Sequence, residues 1–196
     1  MKKGEKAILG KSRDIYGNEI SLDEFEGQKI LLSFLRTAAC PFCNLRVNEM
    51  IKKQREWEFK DVVIIAVFAS PASEILKYAG KQNPSFAIIA DPTESLYRKY
   101  GIEHSLLGKI KAMQRLKEMM QIMTKGYFNV ESLIEKTVMP ADFLINESGT
   151  IVQAYYGKDF GDHIPFEQVE TWINSGDLFV NPLGVLEEYP SDRRSN

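Results

Sequence analysis

Cysteine and histidine are both scarce in this chain. It has two cysteines, Cys40 and Cys43, and two isolated histidines, His104 and His163. A structural zinc site usually takes four ligands, often as paired CxxC motifs. One CxxC and two distant histidines do not supply that set, so no metal is expected. A disulfide acting only as a staple is also disfavoured, because closing so short a loop removes little chain entropy. No stretch approaches the ~20 apolar residues of a membrane helix, and MKKGEKAILG at the start holds no apolar segment of signal length. A reducing cytoplasm is therefore the expected address, where a CxxC is more often catalytic than structural. A charge excess is missing too: the net charge of -2 gives no footprint for nucleic acid or for an anionic membrane. There is no internal repeat or low-complexity tract. The remaining composition, 44% hydrophobic and 27% charged over 196 residues, suits one globular domain spanning 1–196.

The chemistry is concentrated between Lys29 and Met50. An apolar run, Ile30 to Leu35, stops at Arg36-Thr37-Ala38-Ala39 and is followed by Cys40-Pro41-Phe42-Cys43 and a helical pattern. The cysteines thus fall where a buried strand hands over to a helix. The first turn of a helix leaves backbone N–H groups unpaired, and their partial positive charge favours a thiolate. Pro41 suits the first helical position. Cys43 lies one turn deeper on the same face. One sulfur can attack a substrate and the second can displace it, and the spacing also fits a reversible disulfide. Of the two, Cys40 is expected nearer solvent, with the lower pKa and the faster alkylation.

The rest of the chain frames this stretch as α/β. Lys6 to Phe25 reads as a strand-turn-strand hairpin around Tyr16-Gly17-Asn18, with Ser21 and Glu24 as a capping box. The helix from Pro41 runs to about Lys60. Asp61 to Ala69 is a second buried strand, Ser70-Pro71 opens a helix to about Tyr78, Phe86 to Ala90 is a third strand, and a helix covers Glu94 to Tyr100. Strands and helices alternating at these lengths argue for parallel strands flanked by helices. One helix is expected from Ser105 to about Thr124, its stripe of Leu106, Ile110, Met113, Met120 and Met123 packed on the core. A sharper use of that methionine-rich side is a substrate groove or a homodimer contact. Asp142 to Asn146 and Thr150 to Tyr156 form a late antiparallel hairpin, Ile164 to Asn174 a final helix with Trp172 and Ile173 as core candidates, and 181–196 an extended tail.

In this order, and with the fragments TAAC (37–40), Cys43, DPTESLYRKYG (91–101) and PADFLINESGTI (140–151), the chain resembles the alkyl hydroperoxide reductase/thiol-specific antioxidant group, the peroxiredoxin-like proteins of the thioredoxin-like superfamily. The resemblance spans roughly Lys6 to Gly176. It implies a thioredoxin-like fold, a central mixed sheet flanked by helices, with an N-terminal hairpin and a helical insertion before the late one. It places Cys40 on the attacking cysteine and Thr37 on the threonine that orients a peroxide. Cys43 falls on the second cysteine of thioredoxin-type sites, and Pro140 on their cis-proline, which packs against the disulfide and exposes backbone for substrate binding, so a cis Met139–Pro140 bond is expected. Two positions depart from the peroxiredoxin pattern. Ser33 stands where those proteins carry a proline, and Pro140 stands where they carry an arginine that polarises the peroxide.

Arg36 or Arg46 could supply that missing charge, Arg36 as part of the substrate site. The default reading of both is a solvated head group. His104 and His163 read as loop residues and Asp91 as a turn or cap residue. The function expected is a thiol-dependent oxidoreductase without a cofactor. It reduces peroxides or disulfides through a Cys40 thiolate and a Cys40–Cys43 disulfide, and is recycled by thioredoxin or another thiol reductant. The alternative is a redox-sensing interaction module in which the disulfide is a switch.

Overall fold

The computed structural model describes residues 1–127, 136–174, 178–180 and 186–188. A five-stranded mixed sheet forms the centre. Its strands are β3 (Lys29–Phe34), β4 (Val62–Phe68), β5 (Ala87–Ala90), β6 (Ala141–Ile145) and β7 (Ile151–Tyr156), in the spatial order β5-β4-β3-β6-β7. The β3/β4 and β4/β5 pairs are parallel, and β6 and β7 add antiparallel. The short hairpin of β1 (Ser12–Arg13) and β2 (Glu19–Ile20) precedes it, and the Ser21–Glu24 capping box closes as expected.

β3 is buried along its whole length, which explains its unbroken apolar run. Alternation then sends its side chains to two cores. Leu31 and Leu35 face α1 (Pro41–Glu56) and α6 (Phe166–Asn174), together with Cys40, Cys43, Trp172 and Ile173. Ile30, Leu32 and Phe34 face α3 (Ser95–Tyr100) in a cluster of rings, Phe34, Tyr97, Tyr100 and Phe143, with centroids 4.7–5.8 Å apart. Tyr97 also ties two carbonyls, of Leu35 and Val67, at the end of β3 and β4 from which the cysteine loop departs.

Several boundaries differ from expectation. α1 ends at Glu56 rather than near Lys60, because buried Trp57 caps it and Asp61 turns left-handed (φ 47°) into β4. α2 covers Ala72–Lys77, with Pro71 rather than Ser70 at its N-cap. The single helix expected over 105–124 is two, α4 (Leu106–Ala112) and α5 (Leu116–Thr124). Short-range bonds from Gln114 N to Lys111 O and from Arg115 N to Ala112 O end α4, and Arg115 is drawn aside to Asp159 and Asp162. The stripe expected to pack on the core faces the other way. Leu106, Ile110, Met113, Met120 and Met123 are all exposed, whereas Gly108, Ala112 and Ile122 are buried. β8 (Leu178–Val180), just before the expected tail, pairs antiparallel with β9 (Leu186–Glu188) within it. The rest of 181–196 lies outside the described residues.

Candidate active site

The loop from Arg36 to Cys40 is pinned from three sides. Cys40 N donates to Thr37 O at 3.1 Å. The Asn44 amide of α1 donates back to Ala38 O at 2.8 Å and Cys40 O at 2.9 Å. Ser70 Oγ, released from helix capping, accepts from Ala38 N at 3.0 Å. These bonds place Cys40 at the N-cap of α1, with Pro41 first in the helix.

Arg36 is buried, contrary to its default reading. Its guanidinium lies 3.3 Å from the centre of the Phe160 ring. Each of its three nitrogens has an acceptor: Nε donates to Val138 O (2.9 Å), Nη2 to Lys136 O (2.6 Å) and Nη1 to Cys40 Sγ (3.1 Å). Its backbone N–H donates to Cys43 Sγ at 3.2 Å. The cation is therefore locked by geometry against one sulfur while its amide holds the other.

The two thiols are polarised in opposite directions. Burial alone raises the Cys40 pKa. The Cys43 thiol hydrogen bond, the Arg36 charge and the Cys43 amide outweigh burial and bring it down to about 5. Burial and the neighbouring Cys40 sulfur push Cys43 well above the ordinary thiol value. Both directions favour a thiolate at Cys40 beside a protonated Cys43. The expected difference in acidity is present, but the expected difference in exposure is not, because both sulfurs are fully buried.

A model of the AhpC/TSA family matches residues 4–154. The chain belongs to that family. It is 24% identical over 144 residues to a putative peroxiredoxin of Haemophilus influenzae, covering 74% of this chain and 79% of the relative. It is 33% identical over 100 residues to the thiol-disulfide oxidoreductase ResA of Halalkalibacterium halodurans, covering 50% and 56%. Among solved structures it shares the fold of a cysteine-to-serine mutant of peroxiredoxin 6 of Arenicola marina (TM-score 0.69, 13% identity, 97% and 84% covered) and of peroxidoxin BcpB of Mycobacterium tuberculosis (0.59, 15%, 80% and 86%). The thioredoxin-like α/β fold is thus established, and this AhpC/TSA protein is a thiol-dependent oxidoreductase of the peroxiredoxin type.

Of the residues singled out from the sequence, the fold brings Arg36, Cys40 and Cys43 together, with Thr37 buried in the same loop. Pro140 is buried just before β6, two residues beyond Val138, the Arg36 acceptor. The cis bond expected there is absent, since no peptide bond among the described residues is cis. Pro140 O accepts from Gly157 N at 2.9 Å, and a Cβ on Gly157 would meet Pro140 Cγ at 2.8 Å, so the proline is seated against β7's exit in the trans form. The thioredoxin-type role assigned to Pro140 loses its main structural support.

Sequence reasoning missed a second polar cluster. Ser33 and Asp142 are register partners on β3 and β6. The fully buried Asp142 accepts from Ser33 Oγ (2.5 Å), His163 Nδ1 (2.9 Å) and Ile164 N (2.8 Å). Burial opposes its charge, but His163, Arg46 and Ser33 hold its pKa down to about 2. Arg46, also buried, donates from Nη2 to Ile164 O at 2.9 Å and stacks 3.8 Å from the Phe166 ring centre. The one available signal was Ser33 at a position where the family carries proline. His104 stays a loop residue on the surface, paired with Glu94 at 2.8 Å. Asp91 caps α3 through Ser95 N and Leu96 N, as expected.

Proposed function

We propose that the protein is a peroxide reductase in which Arg36 takes the place of the family arginine missing at Pro140. The Nη1–Cys40 Sγ contact of 3.1 Å carries this reading. Cys40 thiolate attacks one oxygen of the peroxide, the O–O bond breaks, and the leaving oxygen departs with a proton as an alcohol or water. Negative charge grows on that oxygen, so a fixed cation beside the sulfur supplies the electrostatic stabilisation that is commonly the largest catalytic contribution. Thr37, buried in the same loop, is the residue we assign to orienting the incoming oxygen. The product, Cys40 sulfenic acid, condenses with the Cys43 thiol one helical turn away. The S–S bond forms, and the Cys43 proton leaves with the sulfenic hydroxyl as water. An external dithiol such as thioredoxin then returns both sulfurs to thiols by exchange, which fits a reducing, cytoplasmic setting.

Disulfide reduction by the same pair is the second reading, supported by the partial likeness to ResA. Here Cys40 attacks a sulfur, a mixed disulfide forms, and Cys43 resolves it. The two are separated by following peroxide and disulfide consumption in one preparation with dithiothreitol or thioredoxin supplied. Cys40→Ser should abolish both. Thr37→Val should slow peroxide turnover and spare disulfide turnover. Equal losses in Thr37→Val would sink the peroxide assignment. A single stoichiometric oxidation without turnover would instead favour the redox-switch alternative.

A further inference from the structure

The consecutive helices α4 and α5 present apolar stripes that nothing among the described residues covers. Leu106, Leu107, Ile110 and Met113 on and after α4, and Leu116, Met120 and Met123 on α5, are each 61–79% exposed. Their spacing, 106/110/113 and 116/120/123, is the i, i+4, i+7 stripe of an amphipathic helix, here turned outward twice in succession. Soluble surfaces rarely leave so many large aliphatic side chains together, and such patches mark interaction sites.

Charge identifies the partner. From Ser105 to Tyr127 the chain carries Lys109, Lys111, Arg115, Lys117 and Lys125 against Glu118 alone, a segment charge of +4 in a chain of -2, so the remainder is -6. The near-neutrality of the whole chain conceals this segregation. Lys111, Lys117 and Lys125 are exposed. Arg115 is spent internally, on Asp159 at 2.8 Å and Asp162 at 3.1 Å, which fixes the start of α5 to the body. An anchored apolar face flanked by exposed lysines is the composition of helices that lie in the interface of anionic bilayers. A second copy of the same face is a poor occupant, because it would set the lysines of one copy against those of the other.

We propose that the α4–α5 segment docks on an anionic lipid surface, with its leucines and methionines entering the headgroup–acyl boundary and its lysines meeting the lipid phosphates. No helix among the described residues is long and apolar enough to cross a membrane, so the attachment is peripheral. Flotation of the full chain with phosphatidylcholine vesicles, with and without phosphatidylglycerol, tests it. The protein should float with the phosphatidylglycerol vesicles, be released by salt, and stay behind with pure phosphatidylcholine. The Met113→Glu/Met120→Glu pair, on exposed side chains outside the thiol site, should retain peroxide turnover and lower vesicle affinity at least about tenfold. Lys111→Glu and Lys117→Glu should each lower it about fivefold. Absence of flotation, equal binding to both vesicle types, or binding indifferent to the methionine pair would each overturn the proposal. So would a dimer seen by light scattering that the methionine pair dissociates while vesicles bind nothing, which would assign the face to a second copy.

Discussion

Arg36 and Arg46 stand ten residues apart in sequence, and both are buried and stacked on a phenylalanine ring, yet they are held differently. Every nitrogen of the Arg36 guanidinium has an acceptor, and one of those acceptors is the Cys40 sulfur. Arg46 has one such bond, to Ile164 O, while its Nε has no hydrogen-bond partner among the described residues. Burial lowers its pKa, and the charge of Asp142 is the leading opposing influence. Arg36 is thus oriented by directional bonds and holds a fixed donor at the Cys40 sulfur, the atom proposed to react. Arg46 is retained by charge near a buried carboxylate and serves the stability of the β3–β6–α1 junction. A buried arginine beside an active site is therefore not by itself a catalytic group; what distinguishes the two is where the donors point.

Removing each arginine separates the roles. Arg46→Ala takes a cation away from buried Asp142, and loss of one partner of a buried ionic cluster costs about 3–5 kcal/mol. Chemical denaturation should show a loss of that size, with Cys40 still ionising near pH 5. An upward move of the Cys40 midpoint in this variant would merge the two sites and break the distinction.

Arg36→Ala should act on chemistry. Peroxide turnover should fall about 100- to 1000-fold, the usual cost of one fixed donor at a developing charge. The Cys40 thiolate, followed by its ultraviolet absorbance in the folded reduced protein, should titrate above its value of about 5. Arg36→Lys should restore part of the charge effect and less of the rate, because an ammonium lacks the fork that reaches Val138 O, Lys136 O and Cys40 Sγ together. A full rate in Arg36→Ala would return the donor role to another group.

The smallest effect is the acid limit of stability. Asp142 has a folded pKa of about 2 against an ordinary 3.8. A depressed carboxylate stabilises the fold above its unfolded pKa, and the gain is lost as pH falls through the folded value. The contribution is about 2 kcal/mol, present above about pH 4 and lost towards pH 2. Asp142→Asn should flatten the stability curve in that window, measured by urea unfolding at successive pH values. An unchanged slope would mean that the carboxylate is no better stabilised in the fold than in the unfolded chain.

The sequence determined the alternation of strands and helices, the strand-to-helix junction that carries both cysteines, the Ser21 capping box and the Asp91 cap. These follow from short-range rules: side-chain period, turn chemistry and the unpaired amides of a first helical turn. The acidity order of Cys40 and Cys43 was legible in part, since the thiol and amide of Cys43 that lower the Cys40 pKa lie within the motif, whereas the Arg36 contribution depends on its burial against Val138. The tertiary structure alone decided which long cations are buried. Arg36 finds Val138 O 102 residues away and Arg46 finds Ile164 O 118 residues away, and no local pattern specifies partners at such separation. It also decided that both sulfurs are enclosed, that Pro140 sits trans against Gly157, and that Ser33 meets Asp142 across two strands. The outward turn of the Leu/Met stripe belongs with these. An amphipathic period states that a helix has two faces, and the orientation of those faces is set by the ion pairs of Arg115 and the burial of Ala112 and Ile122.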